Sequence, residues 1–272
     1  MKADFLYSTV LGRTLFKCLQ KAGFFRLAAW FLHTKASRHL IPGYIKNNGL
    51  DMQPFAGQTY ASFADFFARK RNDCQFAGDP DTLISPCDSL LSIYPVTEDM
   101  TIPMKGSLYT LTDLVPDEDV APLFRGGLCL IFRLQASDYH HFCCFDDGTL
   151  LKTVHIPGQL HSVQPSALQH FPVFRLNRRW WSALETEHFG TAVQIEIGAM
   201  MVGDVHFSVD KGSCFRRGDE MGFFTLAGST IAVLLDASAR EKLVFDNEIM
   251  PSFEGRTEVA VRMGSVIGSV KK

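Results

Sequence analysis

The feature that most constrains the fold is a period-two alternation of apolar and polar side chains that recurs after Gly49. Residues 193–197 alternate between β-branched and polar side chains, and residues 231–235 and 259–263 form further β-type segments. Successive side chains of a strand point to opposite faces, so this pattern predicts strands. Residues 146–148, Asp-Asp-Gly, predict a hairpin-type turn between two of them. The greater part of the chain is therefore expected to be β-rich and antiparallel.

Length and composition allow a single large core. The chain has 272 residues, of which 46% are apolar, and this excludes a disordered, solvated polymer. Residues 63–71 add a short helical pattern. We predict an α+β fold in which a helical segment, residues 1–48, precedes a β-rich antiparallel domain, residues 49–272, that is barrel-like or sandwich-like.

The amino-terminal segment differs from the rest of the chain in charge. Residues 1–50 contain eight basic residues and one acidic residue, a charge of +7, whereas the remainder has 19 basic and 28 acidic residues, a charge of −9. Leucines recur every four residues from Leu11 to Leu19, and basic residues recur at the same period from Arg13 to Lys21. This basic amphipathic helix suits the interface of an anionic membrane. The alternative is a helix that packs on its own domain.

Cysteine usage and hydropathy indicate a cellular location. The seven cysteines are odd in number and include no CxxC pair, which is typical of reduced thiols in a cytosolic protein. Residues 22–32, the most apolar window, are about half as long as the ~20 residues of a spanning helix. We expect no secretory signal, because the first residues lack a lysine-rich start that leads into an uninterrupted apolar run. We expect a peripheral protein on the cytoplasmic face of the cell membrane.

The sharpest motif occupies residues 217–230, Arg-Gly-Asp-Glu-Met-Gly-Phe-Phe-Thr-Leu-Ala-Gly-Ser-Thr. Gly-Ser-Thr alone predicts only a turn that enters a strand. The whole stretch, however, resembles the phosphatidylserine decarboxylase family, whose pattern is a basic residue, Gly-x-Glu, x-Gly-Tyr/Phe-Phe and then Gly-Ser-Thr. Further matches follow in order: Phe-x-x-Phe-Phe-x-Arg at 63–69, Ser-Pro-x-Asp at 85–88, Asp-Tyr-His at 138–140, and the Gly-Ala and Val-Gly pairs within 193–203.

The resemblance implies a proenzyme that cleaves itself between Gly228 and Ser229. The Ser229 oxygen would attack the Gly228 carbonyl, the amide would become an ester, and elimination would release the Gly228 carboxylate. The dehydroalanine left behind would hydrolyse to a pyruvoyl group at the start of chain 229–272, which stays with chain 1–228. That group would decarboxylate phosphatidylserine in an anionic membrane to phosphatidylethanolamine, without a metal or pyridoxal phosphate.

A serine hydroxyl needs a base to take its proton and an acid to support that base. The common family motif is Asp-Tyr-His-Arg-x-His, but residues 138–143 are Asp-Tyr-His-His-Phe-Cys, so that Cys143 stands at the usual second histidine. Our hypothesis is that His140 takes the proton, supported by Asp88. His141, His161 and Cys143 are further candidates for the same role.

Other functions have weaker support in the sequence. The altered histidine favours, as an alternative, a membrane-associated scaffold of the same fold that does not process itself. The same chemistry on another serine phospholipid is a closer alternative. Metal chemistry is disfavoured because neither HExxH nor paired CxxC spacing occurs. The basic segment carries no nucleic-acid-binding motif, and we expect no such partner.

Overall fold

A computed structural model describes residues 6–7, 9–76, 78–104, 107–199, 204–226 and 229–271. The amino-terminal region is helical, with α1 (Val10–Lys21), α2 (Phe24–Leu32) and α3 (Ile41–Asn48), and a 3₁₀ helix, Lys35–Leu40, precedes α3. Gly23 separates α1 from α2, and Gly49 ends α3. Both glycines have positive φ angles, 72° and 62°, a conformation that glycine adopts without a steric penalty.

The later helices of the described residues are short: α4 (Phe63–Phe67), α5 (Leu111–Leu114), α6 (Pro165–Leu168), α7 (Val173–Leu176) and α8 (Ala237–Lys242). Three further 3₁₀ helices are Gln53–Phe55, Ala121–Phe124 and Met250–Ser252. Ser62 caps α4, because its hydroxyl accepts a hydrogen bond from the amide of Asp65 at 3.1 Å. The helix predicted over residues 63–71 is therefore present but ends at Phe67.

The strands in chain order are β1 (Thr82–Ile84), β2 (Ser89–Pro95), β3 (Thr101–Met104), β4 (Ser107–Thr110), β5 (Leu128–Leu134), β6 (His141–Cys143), β7 (Gly148–Ile156), β8 (Arg179–Thr186), β9 (Gly190–Ile197), β10 (Val205–Phe207), β11 (Cys214–Phe215), β12 (Glu220–Phe224), β13 (Ser229–Leu235), β14 (Leu243–Phe245), β15 (Val259–Val261) and β16 (Val266–Val270). Eight of them form one large antiparallel sheet in the order β11-β7-β8-β9-β13-β5-β2-β15. Two three-stranded sheets, β10-β12-β6 and β1-β16-β14, and the pair β3-β4 complete the β structure of the described residues.

Strand β13 lies in the middle of the large sheet, between β9 and β5, and all seven of its residues are buried. Its odd-numbered apolar residues belong to a first core, together with α4 and residues of both three-stranded sheets. Its even-numbered apolar residues belong to a second core, together with Phe16 of α1 and residues of β3, β4 and α7. The large sheet is thus covered on both faces.

The predicted antiparallel α+β fold is confirmed, and the described strands form no closed barrel, so the barrel-like form is not present among them. The alternation over residues 193–197 correctly separates the two faces of β9. The hairpin predicted at residues 146–148 is wrong: this turn joins β6 to β7, which belong to different sheets. The cause is that β6 pairs with β12, far along the chain, instead of with its sequence neighbour.

Candidate active site

Ser229 is the first residue of β13 and lies opposite Leu134 of β5. Its exposed fraction is 0%, and its Oγ atom has no hydrogen-bond partner among the described residues. Gly228, the other half of the predicted cleavage site, lies outside those residues. A buried hydroxyl without a partner costs about 1–3 kcal/mol, so its retention calls for an explanation other than stability.

His140 lies close to Phe224, the residue from which the chain leads to Ser229. The amide of Phe224, the last residue of β12, donates a hydrogen bond to the His140 carbonyl oxygen at 3.0 Å. Residues 225–228 therefore connect a strand that contacts His140 directly with the strand that begins at Ser229. The fold brings both predicted residues to the same short connection.

The His140 ring is fully buried and packs against Phe67, with the ring centres 4.2 Å apart. Its Nδ1 lies 2.9 Å from the carbonyl oxygen of Asp138. Because a carbonyl only accepts, we assign the ring proton to Nδ1 and the lone pair to Nε2. Nε2 has no partner in the part of the chain that the structure describes. Burial lowers the pKa of His140 to about 3, which keeps the ring neutral near pH 7.

Asp88 immediately precedes β2, and both of its carboxylate oxygens are engaged. Oδ2 accepts from Nη1 of Arg71 at 2.8 Å, and Oδ1 accepts from the amide of Met263 at 2.8 Å. Within the described ranges no hydrogen bond joins Asp88 to His140. The pairing of these two residues stays a prediction, and the structure instead gives Asp88 a cationic neighbour that sequence reasoning missed.

Cys143 is buried on β6, where its Sγ lies 3.9 Å from the carbonyl oxygen of Ser85. Burial raises the pKa of its thiol far above the ordinary value, and the negative charge of Asp88 acts in the same direction. A thiol in this state is protonated at neutral pH and is a poor nucleophile or base. The environment therefore favours packing as the role of Cys143.

His141 is held between two aromatic rings, with centre-to-centre distances of 4.7 Å to Tyr139 and 4.8 Å to Phe223. Its Nδ1 lies 3.1 Å from the Glu220 carboxylate, and its Nε2 lies 3.0 Å from the carbonyl oxygen of Ala68. Both ring nitrogens are thus occupied. Burial lowers the pKa of His141, although the hydrogen bonds from the ring oppose this effect.

His161 lies among residues of the second core. Its ring stacks on Phe171 at 4.7 Å and lies 5.3 Å from the ring of Phe16, and its Nε2 is 2.6 Å from Oε1 of Gln159. Ser229 is an odd-numbered residue of β13, and the apolar odd-numbered residues of that strand face the first core. The structure therefore brings His140 near the Ser229 connection and puts His161 on the opposite side of the large sheet.

Sequence reasoning assigned no role to Glu196, although it placed Glu196 on the polar side of β9. Its exposed fraction is 0%, and Gln194 Nε2 donates a hydrogen bond to its Oε1 at 2.9 Å. Loss of hydration raises the pKa of Glu196 to about 7. The alternation in the sequence placed Gln194 and Glu196 on one face of the strand. Only the structure shows that this face is covered and that both polar side chains are buried.

An apolar cavity of about 510 Å³ opens beside the connection that precedes Ser229. Its lining comes from α2, α3, α4 and the 3₁₀ helix Lys35–Leu40, together with Leu226. The lining residues are Leu32, His39, Leu40, Gly43, Tyr44, Asn47, Phe63 and Leu226. The amino-terminal helices therefore border the approach to the candidate site.

Two negative findings apply to the described residues only. They contain no group of three or more histidine, cysteine, aspartate or glutamate side chains arranged to hold a metal ion. In the same ranges, no helix is both long and apolar enough to cross a bilayer.

Comparison with known proteins identifies the class of enzyme to which this arrangement belongs. Residues 63–269 match the family model described as Phosphatidylserine decarboxylase, a family of carboxy-lyases. The phosphatidylserine decarboxylase proenzyme 2 of Clostridium acetobutylicum is 37% identical over 97% of this chain and 90% of its own length. The proenzymes of Ruminiclostridium cellulolyticum and Clostridium novyi are 34% and 32% identical, again over 97% of this chain, and over 89% and 91% of their own lengths. The chain belongs to the phosphatidylserine decarboxylase family.

Proposed function

We propose that this protein is a proenzyme that cleaves itself between Gly228 and Ser229 and then decarboxylates phosphatidylserine to phosphatidylethanolamine and CO2. The observation that carries the proposal is the state of Ser229: its hydroxyl is fully buried at the start of a central strand and has no partner among the described residues. The relatives named above are all called proenzymes, which agrees with processing into chains 1–228 and 229–272.

In this proposal His140 accepts the Ser229 proton through Nε2. Burial keeps the ring neutral, so the lone pair is available at neutral pH. The same burial makes the protonated ring costly, and a negative charge is needed to stabilise it. Asp88 is the proposed source of that charge, although Arg71 already neutralises part of it. Arg71 would then moderate the support that Asp88 gives.

The residues around position 229 suit a pyruvoyl group made from Ser229. The position is fully buried at the start of β13, opposite Leu134 of β5, where a reactive carbonyl would be shielded from bulk water. Such a group supplies an electron sink for the carboxylate that is lost. The protein's own contribution is to hold the strand, keep the site dry and admit the substrate beside Leu226.

The amino-terminal segment is proposed to hold the enzyme peripherally on the cytoplasmic face of an anionic membrane. Leu11, Leu27 and Trp30 are 72%, 63% and 65% exposed, and the surrounding 50 residues carry a charge of +7. Exposed apolar side chains and positive charge on adjacent helices suit an interface with anionic lipid. The cavity beside Leu226 lies next to these helices, which would let a lipid head group reach the site from the membrane.

The scaffold alternative is favoured by one observation, that Cys143 stands where the family usually has a second histidine. A time course of newly translated precursor separates the two functions. We expect the 30.4-kDa chain to give two fragments, and Ser229→Ala to stay uncut. Ser92→Ala is the matched control, because it removes the same atom from another buried strand serine. An uncut wild-type chain that binds vesicles but releases no CO2 would support the scaffold.

The same time course identifies the base. His140→Ala and Asp88→Asn should slow processing by at least ~100-fold, the lower end of the contribution of a positioned general base. His155→Ala, at an exposed strand position, is the histidine control. If His140→Ala matures normally while His161→Ala stalls, the assignment to His140 is wrong.

A further inference from the structure

Glu196 lies on the same face of the large sheet as Ser229. In the pairing of β13 with β9, Ile231 is opposite Glu196 and Thr230 is opposite Ile197. Opposite residues of an antiparallel pair point to the same face, as do residues two apart in a strand. Ser229 and Glu196 are therefore diagonal neighbours on one face. Cα atoms at diagonal positions are about 7–8 Å apart, within reach of a long side chain such as glutamate.

The Glu196 carboxyl is only half satisfied. Its Oε1 accepts from Gln194 Nε2, whereas its Oε2 has no partner among the residues that the structure describes. Gln194 Nε2 also lies 3.2 Å from the Met221 sulfur on β12, so these polar groups face the layer between the large sheet and the β10-β12-β6 sheet. Among the described residues, an acid with an unpartnered oxygen is thus buried on the same face of the sheet as a serine with an unpartnered hydroxyl.

The strands that face Glu196 in the described residues bring no titratable side chain to it, and His140, which precedes β6, is the other buried titratable group at the Ser229 connection. On β13 it meets Ile231, on β8 its opposite neighbour is Trp180, and across the layer β12 contributes Met221. His155 of β7 stacks on the Trp180 ring at 4.7 Å and is the nearest titratable residue along that row of the sheet. A carboxyl in such apolar surroundings is expensive to bury, and packing alone gives no reason to keep it.

We propose that Glu196 is the base of the elimination step of self-cleavage, an assignment that rests on the proposed function. After the ester between Ser229 Oγ and the Gly228 carbonyl has formed, the Glu196 carboxylate takes the proton from the Ser229 Cα. The C–H electron pair becomes the second Cα–Cβ bond. The Cβ–Oγ bond breaks, and its electron pair leaves with Oγ as the Gly228 carboxylate.

The later proton movements balance. The new residue at position 229 is an enamine with a free amino group, and Glu196 returns the proton to its Cβ while the nitrogen loses a proton to water. Water then adds to the resulting imine, and ammonia leaves. Glu196 ends in its starting state, so the step needs no reactant except water.

In this proposal two buried groups transfer different protons of Ser229. His140 accepts the hydroxyl proton, and Glu196 accepts the Cα proton. Burial raises the pKa of Glu196 to about 7, so both of its protonation states are populated at neutral pH. A group with such a pKa is well matched to taking up and returning a proton.

The test is trapping of the ester in newly translated Glu196→Gln. Glutamine keeps the shape and can still accept from Gln194, but it takes no proton. Formation of the ester should continue while elimination slows by at least ~100-fold. Hydroxylamine, which cleaves esters at neutral pH, should then split the variant into 1–228 and a 229–272 chain that begins with unmodified serine. Ser229→Ala should resist hydroxylamine.

Two further readouts separate chemistry from packing. Maturation of the wild type should speed up as pH rises through about 7, because the base acts as the carboxylate. Glu196→Asp should keep that pH dependence at a lower rate, and it serves in place of Glu196→Gln if the glutamine variant does not fold. Ile195→Val, a conservative change on the other face of β9, is the matched control and should mature normally.

Each adverse outcome has one meaning. If Glu196→Gln matures at the wild-type rate, or stays uncut and resists hydroxylamine, Glu196 is not the base of the elimination. A pH-independent rate in both the wild type and Glu196→Asp would overturn it as well. If the wild type itself yields no fragments ending at Gly228 and beginning at position 229, the proposed function fails instead, whatever Glu196 does.

Discussion

The buried, neutral imidazole of His140 predicts a specific pH dependence of stability. The folded protein holds its pKa at about 3, against an ordinary value of 6.5. Between these values the unfolded chain binds more protons than the folded one, so acid favours unfolding. The contribution of neutral His140 to the unfolding free energy is fully present above pH 6.5 and is lost as the pH falls towards 3.

The size of the effect follows from these two pKa values. Each pH unit in this window costs about 1.4 kcal/mol, so acidification from pH 7 to pH 5 should remove about 2 kcal/mol through His140 alone. This is a measurable part of the 5–15 kcal/mol by which domains are typically stable.

The assay is urea unfolding at pH 7, 6 and 5, with Ser229→Ala as the background so that cleavage does not alter the chain. The second variant is Ser229→Ala with His140→Gln, which places a non-titrating polar group at the same position. Because Glu196 and the other titratable groups are common to both, their contributions cancel in the difference. That difference in unfolding free energy should shrink by about 2 kcal/mol from pH 7 to pH 5. A constant difference would show that the pKa of His140 is the same in the folded and unfolded protein.

Three further results are expected. Glu196 retains its proton up to about pH 7 in the folded protein, so its effect on stability has the opposite sign. Between pH 5 and pH 8 the unfolding free energy of Ser229→Ala should fall by about 2–3 kcal/mol because of Glu196, and adding Glu196→Gln should abolish this fall in urea titrations. Processing of Cys143→Ala should stay within about threefold of wild type on timed gels, since a protonated thiol supplies no base. Replacement of Leu27 and Trp30 by serine should weaken binding to phosphatidylglycerol-rich vesicles, measured by sedimentation, by at least ~10-fold. Added salt should weaken the binding of the unsubstituted protein. Equal binding by the Leu27 and Trp30 variant, or a matching loss in Leu123→Ser, would contradict the amino-terminal anchor.

The local pattern predicted strand faces well but not what covers them. The alternation over residues 193–197 places Gln194 and Glu196 together, as observed on β9. Their burial depends on strands β6, β10 and β12, which come from distant parts of the chain. Such long-range pairing has no local pattern, and this is also why the turn at residues 146–148 was taken for a hairpin.

In the candidate site, too, the sequence identified residues but not how they pack against one another. Motif matches identified Ser229, His140 and Asp88, and the fold brings the first two to one connection. Sequence position alone did not show which face of the large sheet each histidine would occupy. His161 was therefore a candidate as well as His140, although it packs in the second core. The partner of Asp88, Arg71, was missed because their ion pair joins residues 17 positions apart on segments without a common period.

The most direct test of self-cleavage between Gly228 and Ser229 is the intact mass of the purified protein under denaturing conditions. Self-cleavage predicts two chains: one ends at Gly228 with a normal carboxylate, and the other covers residues 229–272 and is lighter than its serine form by the mass of one ammonia molecule. A single 30.4-kDa chain in a preparation that still converts phosphatidylserine to phosphatidylethanolamine would contradict it.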